Sequence, residues 1–149
     1  MLNYDVIAVG TDGSDSAQRA VRSAASMARA YDAKLVIVTA YYTHTGGVFG
    51  ANSTDTEKLP IVSEESAENY LAKAVDIAKE EGAHNVEVVP KSGDPVPALI
   101  EAGEEYGVEL FVVGNRGINS LSGRVFGSVS VELMRKVDCD VVVVNTTRQ

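Results

Sequence analysis

The chain is poor in cysteine, histidine and positive charge. Its 149 residues include one cysteine, Cys139, two histidines and no tryptophan. A single cysteine excludes an intramolecular disulfide and a cysteine-based zinc site. Lysine and arginine total 13 against 21 aspartates and glutamates, so the net charge is −8. Because nucleic acids and anionic membranes attract basic surfaces, we expect neither of them as a partner.

Long hydrophobic segments are also missing. No apolar run approaches the roughly 20 residues that cross a bilayer, and the N-terminus lacks the basic and apolar segments of a secretory signal. We therefore expect a cytoplasmic protein. Hydrophobic residues make up 45% of the sequence and charged residues 23%, a balance typical of globular proteins. The length suits one domain, which we predict to span residues 1–149.

Short β-branched segments alternate with segments of helical periodicity. Strands are predicted at 4–10, 34–40, 86–90, 109–114 and 140–145, and helices at 14–30, 63–81, 94–106 and 127–137. This alternation predicts an α/β fold with a parallel sheet covered by helices on both faces. Residues 41–59 interrupt the rhythm, and a loop of this length is typically functional or disordered.

Glycines after the fourth strand indicate a binding site for phosphate. Gly114 and Gly117 follow this strand, and nine residues later Gly127 and Ser128 open the last helix. Backbone N–H groups at a strand end and a helix start form a cradle for anions. Glycine lets a phosphate approach the backbone because no Cβ stands in the way. We therefore predict that this segment wraps the phosphates of a nucleotide.

The same residues allow simpler interpretations. Gly114 and Gly117 also suit a plain tight turn, and Ser128 also suits a helix N-cap, which does not exclude phosphate binding. Arg116 and Arg124 are the two cations of the loop, and either one alone would be interpreted as a solvated surface charge. Two arginines in a glycine-rich loop of an acidic protein favour the phosphate interpretation.

The loop after the first strand carries a second candidate group. It reads Gly10-Thr11-Asp12-Gly13 and precedes a helix for which Ser14 is the predicted N-cap. In open α/β sheets, ligands bind beyond the carboxyl ends of the strands, where the strand order reverses. If both loops face one crevice, strands one and four are neighbours. Asp12 suits a ribose hydroxyl or a base amino group, although an Asp-Gly pair is also a common turn.

Several catalytic motifs are missing from the sequence. It has no Gly-x-x-x-x-Gly-Lys-Ser/Thr, no Gly-x-Gly-x-x-Gly after the first strand and no Gly-x-Ser-x-Gly. His44 and His84 are far apart in sequence and lack the spacing of a triad or metal site, so we interpret both as surface residues. We do not expect an enzyme. If the protein is a slow ATPase, Asp12 is the one carboxylate placed to act as a base or metal ligand.

The glycine pattern, taken with the rest of the chain, resembles the universal stress protein family. The spacing Gly-x2-Gly-x9-Gly-Ser that begins at Gly114 matches the family's ATP-binding motif. Residues 7–14, 112–114 and 141–144 resemble the family's first strand and loop, its fourth strand end and its last strand. The resemblance implies an open five-stranded parallel sheet of order 3-2-1-4-5. It also implies a homodimer that pairs through the C-terminal strand.

The resemblance further implies which residues contact a ligand. Asp12 and the backbone of Gly10 and Thr11 would contact adenosine, and the end of the second strand would hold the adenine edge. The glycine loop would hold ribose and phosphates, with the Val129 N–H contributing. The full predicted set is Gly10, Thr11, Asp12, Val38, Thr39, Ala40, Gly114, Arg116, Gly117, Gly123, Arg124, Gly127, Ser128 and Val129.

An adenine nucleotide is the ligand that the resemblance implies. It is either ATP, with Mg²⁺ bridging its phosphates, or cyclic AMP, which some bacterial relatives prefer. The loop with two arginines does not decide between them. Gly10 stands where many members carry proline before Thr-Asp, which loosens the first loop. A regulatory nucleotide-binding protein of the stress response is the favoured function, and the alternatives are a slow ATPase and a dimeric scaffold that binds no nucleotide.

Overall fold

The computed structural model describes residues 2–42, 62–115 and 128–146. Along these residues every predicted strand and helix is present within a few residues of its predicted bounds. The elements are β1 (Val6–Gly10), α1 (Asp15–Tyr31), β2 (Lys34–Tyr41), α2 (Glu64–Glu80), β3 (Asn85–Ser92), α3 (Pro95–Tyr106), β4 (Leu110–Gly114), α4 (Ser128–Lys136) and β5 (Asp140–Val144). Most of the predicted 41–59 loop, including His44, lies outside the described residues.

The strands form one parallel sheet in the order β3-β2-β1-β4-β5, which confirms the predicted order. β1 pairs with β2 from Val6↔Lys34 to Gly10↔Val38. On its other side β1 pairs with β4, beginning at Ile7. The chain therefore moves outward from β1 in one direction through β2 and β3, and in the other through β4 and β5. The reversal of strand order lies between β1 and β4.

Alternate side chains of the central strands enter two hydrophobic clusters, one on each face of the sheet. Ile7 and Val9 of β1 pack on the face covered by α1 and α2. Ala8 points to the opposite face, which is covered by α3 and α4. All three side chains are fully buried. Burial on both faces explains why these strands read as continuous apolar runs instead of alternating ones.

The starts of α1, α2 and α3 differ in how they are capped. The Ser14 hydroxyl accepts a hydrogen bond from the Ala17 N–H at 3.1 Å, as expected of an N-cap. Ser63 caps α2 in the same way. Asp94 occupies the N-cap position of α3, with Pro95 as the first helical residue, but its carboxylate accepts a hydrogen bond from outside the helix. None of the helices in the described ranges is long and apolar enough to cross a membrane.

Strand β3 is longer than the sequence predicts. It runs from Asn85 to Ser92 and includes Pro90, where the prediction ends the strand. Proline cannot donate to a ladder, but an edge strand tolerates it when the missing N–H would face solvent. β3 is an edge strand of the sheet, so the pairing with β2 continues past Pro90 to Ser92.

Candidate functional site

The candidate site is the crevice beyond the carboxyl ends of β1, β2 and β4. Gly10 ends β1 and Gly114 ends β4, and these strands are neighbours across the reversal of strand order. Gly10 is also paired with Val38 of β2. The topology therefore makes β1 and β4 neighbours, as predicted, and brings together the strand ends from which the two loops leave the sheet.

Hydrogen bonds fix the first residue of the β1–α1 loop onto β2. The Thr11 N–H donates to the Val38 carbonyl at 2.9 Å. The Thr39 hydroxyl donates to the Thr11 carbonyl, so both backbone groups of Thr11 are bonded to consecutive residues of β2. Thr11 and Thr39 are both buried. This cross-link sets the direction in which the loop leaves the sheet.

Asp12 and Gly13 follow in a tight turn. The Asp12 carboxylate accepts a hydrogen bond from the Ser14 N–H at 3.0 Å, and the Thr11 hydroxyl accepts one from the Gly13 N–H at 3.2 Å. The structure thus contains the turn aspartate that Asp-Gly suggested. In this turn Asp12 is half-buried and lies just after the end of β1, beside the start of α1.

Gly13 adopts a backbone φ of +83°, in the left-handed region that favours glycine. Its open face lies against the ring of Tyr70 in α2. A Cβ added to Gly13 would stand 2.4 Å from Tyr70 Cε1, far closer than real contacts allow. Glycine is therefore required here for two reasons: the backbone has a positive φ, and a Cβ would clash with the Tyr70 ring. Tyr70 is not among the site residues predicted from the sequence.

The end of β4 is tied to the end of β5 through Asn115. The Asn115 N–H donates to the Val144 carbonyl at 2.9 Å. Its side-chain oxygen accepts from the Thr146 N–H at 3.0 Å and from the Thr146 hydroxyl at 2.9 Å. Asn115 thereby anchors the start of the glycine-rich segment. An Asn directly after a strand-ending glycine is the sequence signal that could have indicated this role.

At the neighbouring edge of the site, the Tyr42 hydroxyl donates a hydrogen bond to the Asp94 carboxylate. Burial, together with this bond, raises the pKa of Tyr42 to about 12. The Gly93 N–H donates to the Tyr41 carbonyl at 2.8 Å, and the Tyr42 N–H to the Val62 carbonyl at 2.9 Å. These bonds join the end of β2 to the residues that precede α3 and α2.

The described residues gather part of the predicted set at one edge of the sheet. This part consists of Gly10, Thr11, Asp12, Val38, Thr39, Ala40 and Gly114. Ser128 and Val129 begin α4, and Val129 packs against the cluster on the α3 and α4 face. The predicted residues Arg116, Gly117, Gly123, Arg124 and Gly127 lie outside the described residues.

Metal-ligating side chains do not cluster in residues 2–42, 62–115 and 128–146. Within them, no group of three or more His, Cys, Asp or Glu side chains is arranged to hold one. His84 is exposed at the start of β3, which confirms its interpretation as a surface residue.

The described residues form an open, parallel α/β fold whose strand order reverses between β1 and β4. The family model described as the universal stress protein family matches residues 3–145. The chain therefore belongs to the universal stress protein family.

Individual relatives are similar in sequence to this chain over nearly its full length. The universal stress protein Rv1636 of Mycobacterium tuberculosis is 40% identical over 147 residues, which cover 99% of this chain and 100% of the relative. A putative universal stress protein of Staphylococcus haemolyticus is 35% identical over 149 residues, 98% of this chain and 87% of the relative.

Solved structures show the same fold. The crystal structure of a universal stress protein in complex with cAMP has a TM-score of 0.73 and 37% identity, covering 97% of this chain and 99% of that chain. The universal stress protein UspA from Lactobacillus plantarum has a TM-score of 0.77 at 22% identity, covering 97% of this chain and 100% of that one. At that identity the second comparison supports the fold alone.

Proposed function

We propose that this protein binds an adenine nucleotide in the crevice beyond β1 and β4 and acts as a regulatory protein of the stress response. The observation that carries the proposal is the convergence of the Asp12 loop, the end of β2 and Gly114 at the reversal of strand order. Crevices at such reversals are the usual ligand sites of open α/β sheets.

The cAMP complex supports the choice of an adenine nucleotide. That universal stress protein shares 37% of its residues with this chain over nearly the full length of both. The Gly-x2-Gly-x9-Gly-Ser spacing supports a ligand with phosphate groups, because bare backbone near a helix start suits an anion. The comparison with this complex favours cyclic AMP as the ligand of this protein, whereas the glycine spacing favours ATP.

In this proposal the Asp12 carboxyl binds a ribose hydroxyl. The Val38 carbonyl already accepts the Thr11 N–H, so we assign the adenine edge to the backbone that follows it, toward Ala40. The glycine segment from Gly114 to Ser128 wraps the phosphates, and the Val129 N–H contributes at the start of α4. Mg²⁺, where ATP is the ligand, would be held by the phosphates.

We also propose that the protein is a cytoplasmic homodimer that pairs through β5. Both β3 and β5 are sheet edges, but they differ in protection. β3 contains Pro90 and charged side chains, which discourage pairing with another strand. β5 reads Asp140 followed by four valines, and Val143 keeps 42% of its surface exposed. An apolar edge strand of this kind, with which no further strand of the described residues pairs, is suited to pairing with a second copy.

Variants of the glycine segment test the nucleotide site. Gly117→Glu and Gly127→Val should each abolish calorimetric binding of cyclic AMP and of ATP with Mg²⁺, because a side chain would fill the cradle. His84→Glu adds the same charge at an exposed position outside the crevice and should bind like the unaltered protein. Unchanged affinity in both glycine variants would contradict the assignment of the site.

A further inference from the structure

We infer that Tyr70 of α2 is a positioning residue for the nucleotide site, and this inference rests on the proposed function. Tyr70 would hold the loop that carries Asp12 in its binding position. The contact responsible is between the Tyr70 ring and the backbone of Gly13, the residue directly after Asp12.

The ring and the loop are fitted closely to each other. Three ring atoms of Tyr70, Cε1, Cδ1 and Cζ, would lie 2.4, 2.5 and 2.7 Å from a Cβ placed on Gly13. The ring therefore occupies the space that any other residue at position 13 would need. Because the φ of Gly13 is +83°, the loop turns its bare Cα toward α2 at this point.

Tyr70 is not explained by the hydrophobic core. Its neighbours on α2, such as Leu71 and Ala74, belong to the cluster on the α1 and α2 face. Tyr70 belongs to neither hydrophobic cluster of the described residues and is only half-buried. A large ring that lies outside the core and against a site loop is better explained by its contact with that loop.

The hydrogen bonds of the loop involve residues on either side of Gly13, and the Tyr70 ring packs against Gly13 itself. Thr11 is bonded to β2, and Ser14 is fixed by the Asp12 turn and by its cap on α1. These bonds hold the two ends of the loop. Between them, the Gly13 N–H donates to the Thr11 hydroxyl at 3.2 Å, and the Tyr70 ring packs against the side of Gly13 where a Cβ would stand. Removal of the ring should therefore let Gly13 and the adjoining Asp12 shift without unfolding the sheet.

Affinity measurements on ring variants test this role. Tyr70→Ala should weaken binding of the nucleotide that the unaltered protein binds by about tenfold, whereas Tyr70→Phe should stay within about twofold because the ring contact persists. Tyr106→Ala is the matched control. Tyr106 is a half-buried tyrosine whose hydroxyl donates to Glu87 at 2.9 Å, well away from the crevice. Its loss should lower the melting temperature and leave affinity unchanged.

A double-mutant cycle with Asp12→Asn separates positioning from general destabilisation. If Tyr70 acts through the Asp12 loop, Tyr70→Ala should cost much less affinity in the Asp12→Asn background than in the unaltered protein. Fully additive effects would overturn the inference, as would unaltered affinity in Tyr70→Ala. If Tyr70→Ala does not fold, Tyr70→Leu keeps apolar bulk and carries the same expectations.

The two proposals fail in distinguishable ways. Absence of binding by the unaltered protein to both cyclic AMP and ATP with Mg²⁺ would overturn the proposed function and this inference together. Binding by the unaltered protein, with the same affinity in Tyr70→Ala, would overturn only the role of Tyr70.

Discussion

The hydroxyl of Thr39 donates a hydrogen bond to the backbone carbonyl of Thr11, across the ends of β2 and β1. The Thr11 N–H in turn donates to the Val38 carbonyl at 2.9 Å. Thr39 is almost fully buried, so this bond is shielded from water. These two hydrogen bonds hold the β1–α1 loop against β2 without the help of a ligand.

We expect Thr39→Val to destabilise the fold. Valine has nearly the shape of threonine but cannot donate, so the buried Thr11 carbonyl would lose a partner. The free energy of unfolding should fall by about 1–3 kcal/mol, as measured by urea denaturation. Thr39→Ser restores the hydroxyl and should recover part of the loss. Equal stability of the valine variant and the unaltered protein would contradict this account of the bond.

Replacement of Gly13 by alanine should be more damaging than replacement of Gly107. Both glycines have positive φ, +83° and +67°, but only Gly13 faces a nearby group. Gly107→Ala should cost about 1–2 kcal/mol of unfolding free energy from backbone strain alone. Gly13→Ala should cost about 1–3 kcal/mol more, because the new methyl group meets the Tyr70 ring. Chemical denaturation of both variants gives the comparison, and equal losses would show that the ring moves aside freely.

Alkaline pH should weaken the fold through two tyrosines. The hydrogen bond that Tyr4 donates to Asp140 raises the pKa of Tyr4 to about 12, and burial raises that of Tyr42 to about 12. The folded state therefore holds these protons more tightly than the unfolded state, whose value is near 10.0. Their contribution to stability is complete below pH 10 and is lost between about pH 10 and 12.

The double variant Tyr4→Phe, Tyr42→Phe should reduce this dependence. Its free energy of unfolding should fall less steeply from pH 10 to pH 12, as followed by denaturation at each pH. Some slope should persist because the pKa values of Tyr41 and Tyr106 are also raised. A slope as steep as that of the unaltered protein would contradict the assignment.

Two edge valines provide a matched test of the proposed homodimer. Val143 on β5 and Val88 on β3 are exposed to similar degrees, 42% and 40%. Val143→Lys should convert the dimer to a monomer, because a charge on the pairing edge opposes strand addition. Val88→Lys should leave the dimer intact. Light scattering after size-exclusion chromatography measures both masses, and loss of the dimer in the Val88 variant alone would point to the opposite edge.

The architecture could be predicted from the sequence because burial on both faces leaves a plain signal. Residues such as Ile7 and Val9 lie in apolar runs that indicate buried strands. The capping serine Ser14 indicates the start of a helix from the sequence alone. Pro90 misled the prediction, since proline argues against a strand unless that strand is known to be an edge.

The restraints on the site could not be predicted in the same way. Asn115 is hydrogen-bonded to Thr146, which is 31 residues away in the sequence. Tyr70, which contacts Gly13, belongs to a helix that is remote from Gly13 in the sequence. Contacts of this kind depend on which strands and helices become neighbours. The position of Asn115 after a strand-ending glycine indicates an anchoring role, but no local pattern in the sequence identifies its partner Thr146 or the contact between Tyr70 and Gly13.

The most direct test of the central claim is a thermal-shift titration of the purified protein with cyclic AMP and, separately, with ATP and Mg²⁺. The guanine counterparts serve as controls for recognition of the base. A free nucleotide concentration of 100 times the dissociation constant adds about 2.7 kcal/mol to the free energy of unfolding. This gain should raise the melting temperature by roughly 5–10 °C. A concentration-dependent rise with one adenine nucleotide is the predicted result. No rise with either at millimolar concentration would contradict the account and favour a dimeric scaffold.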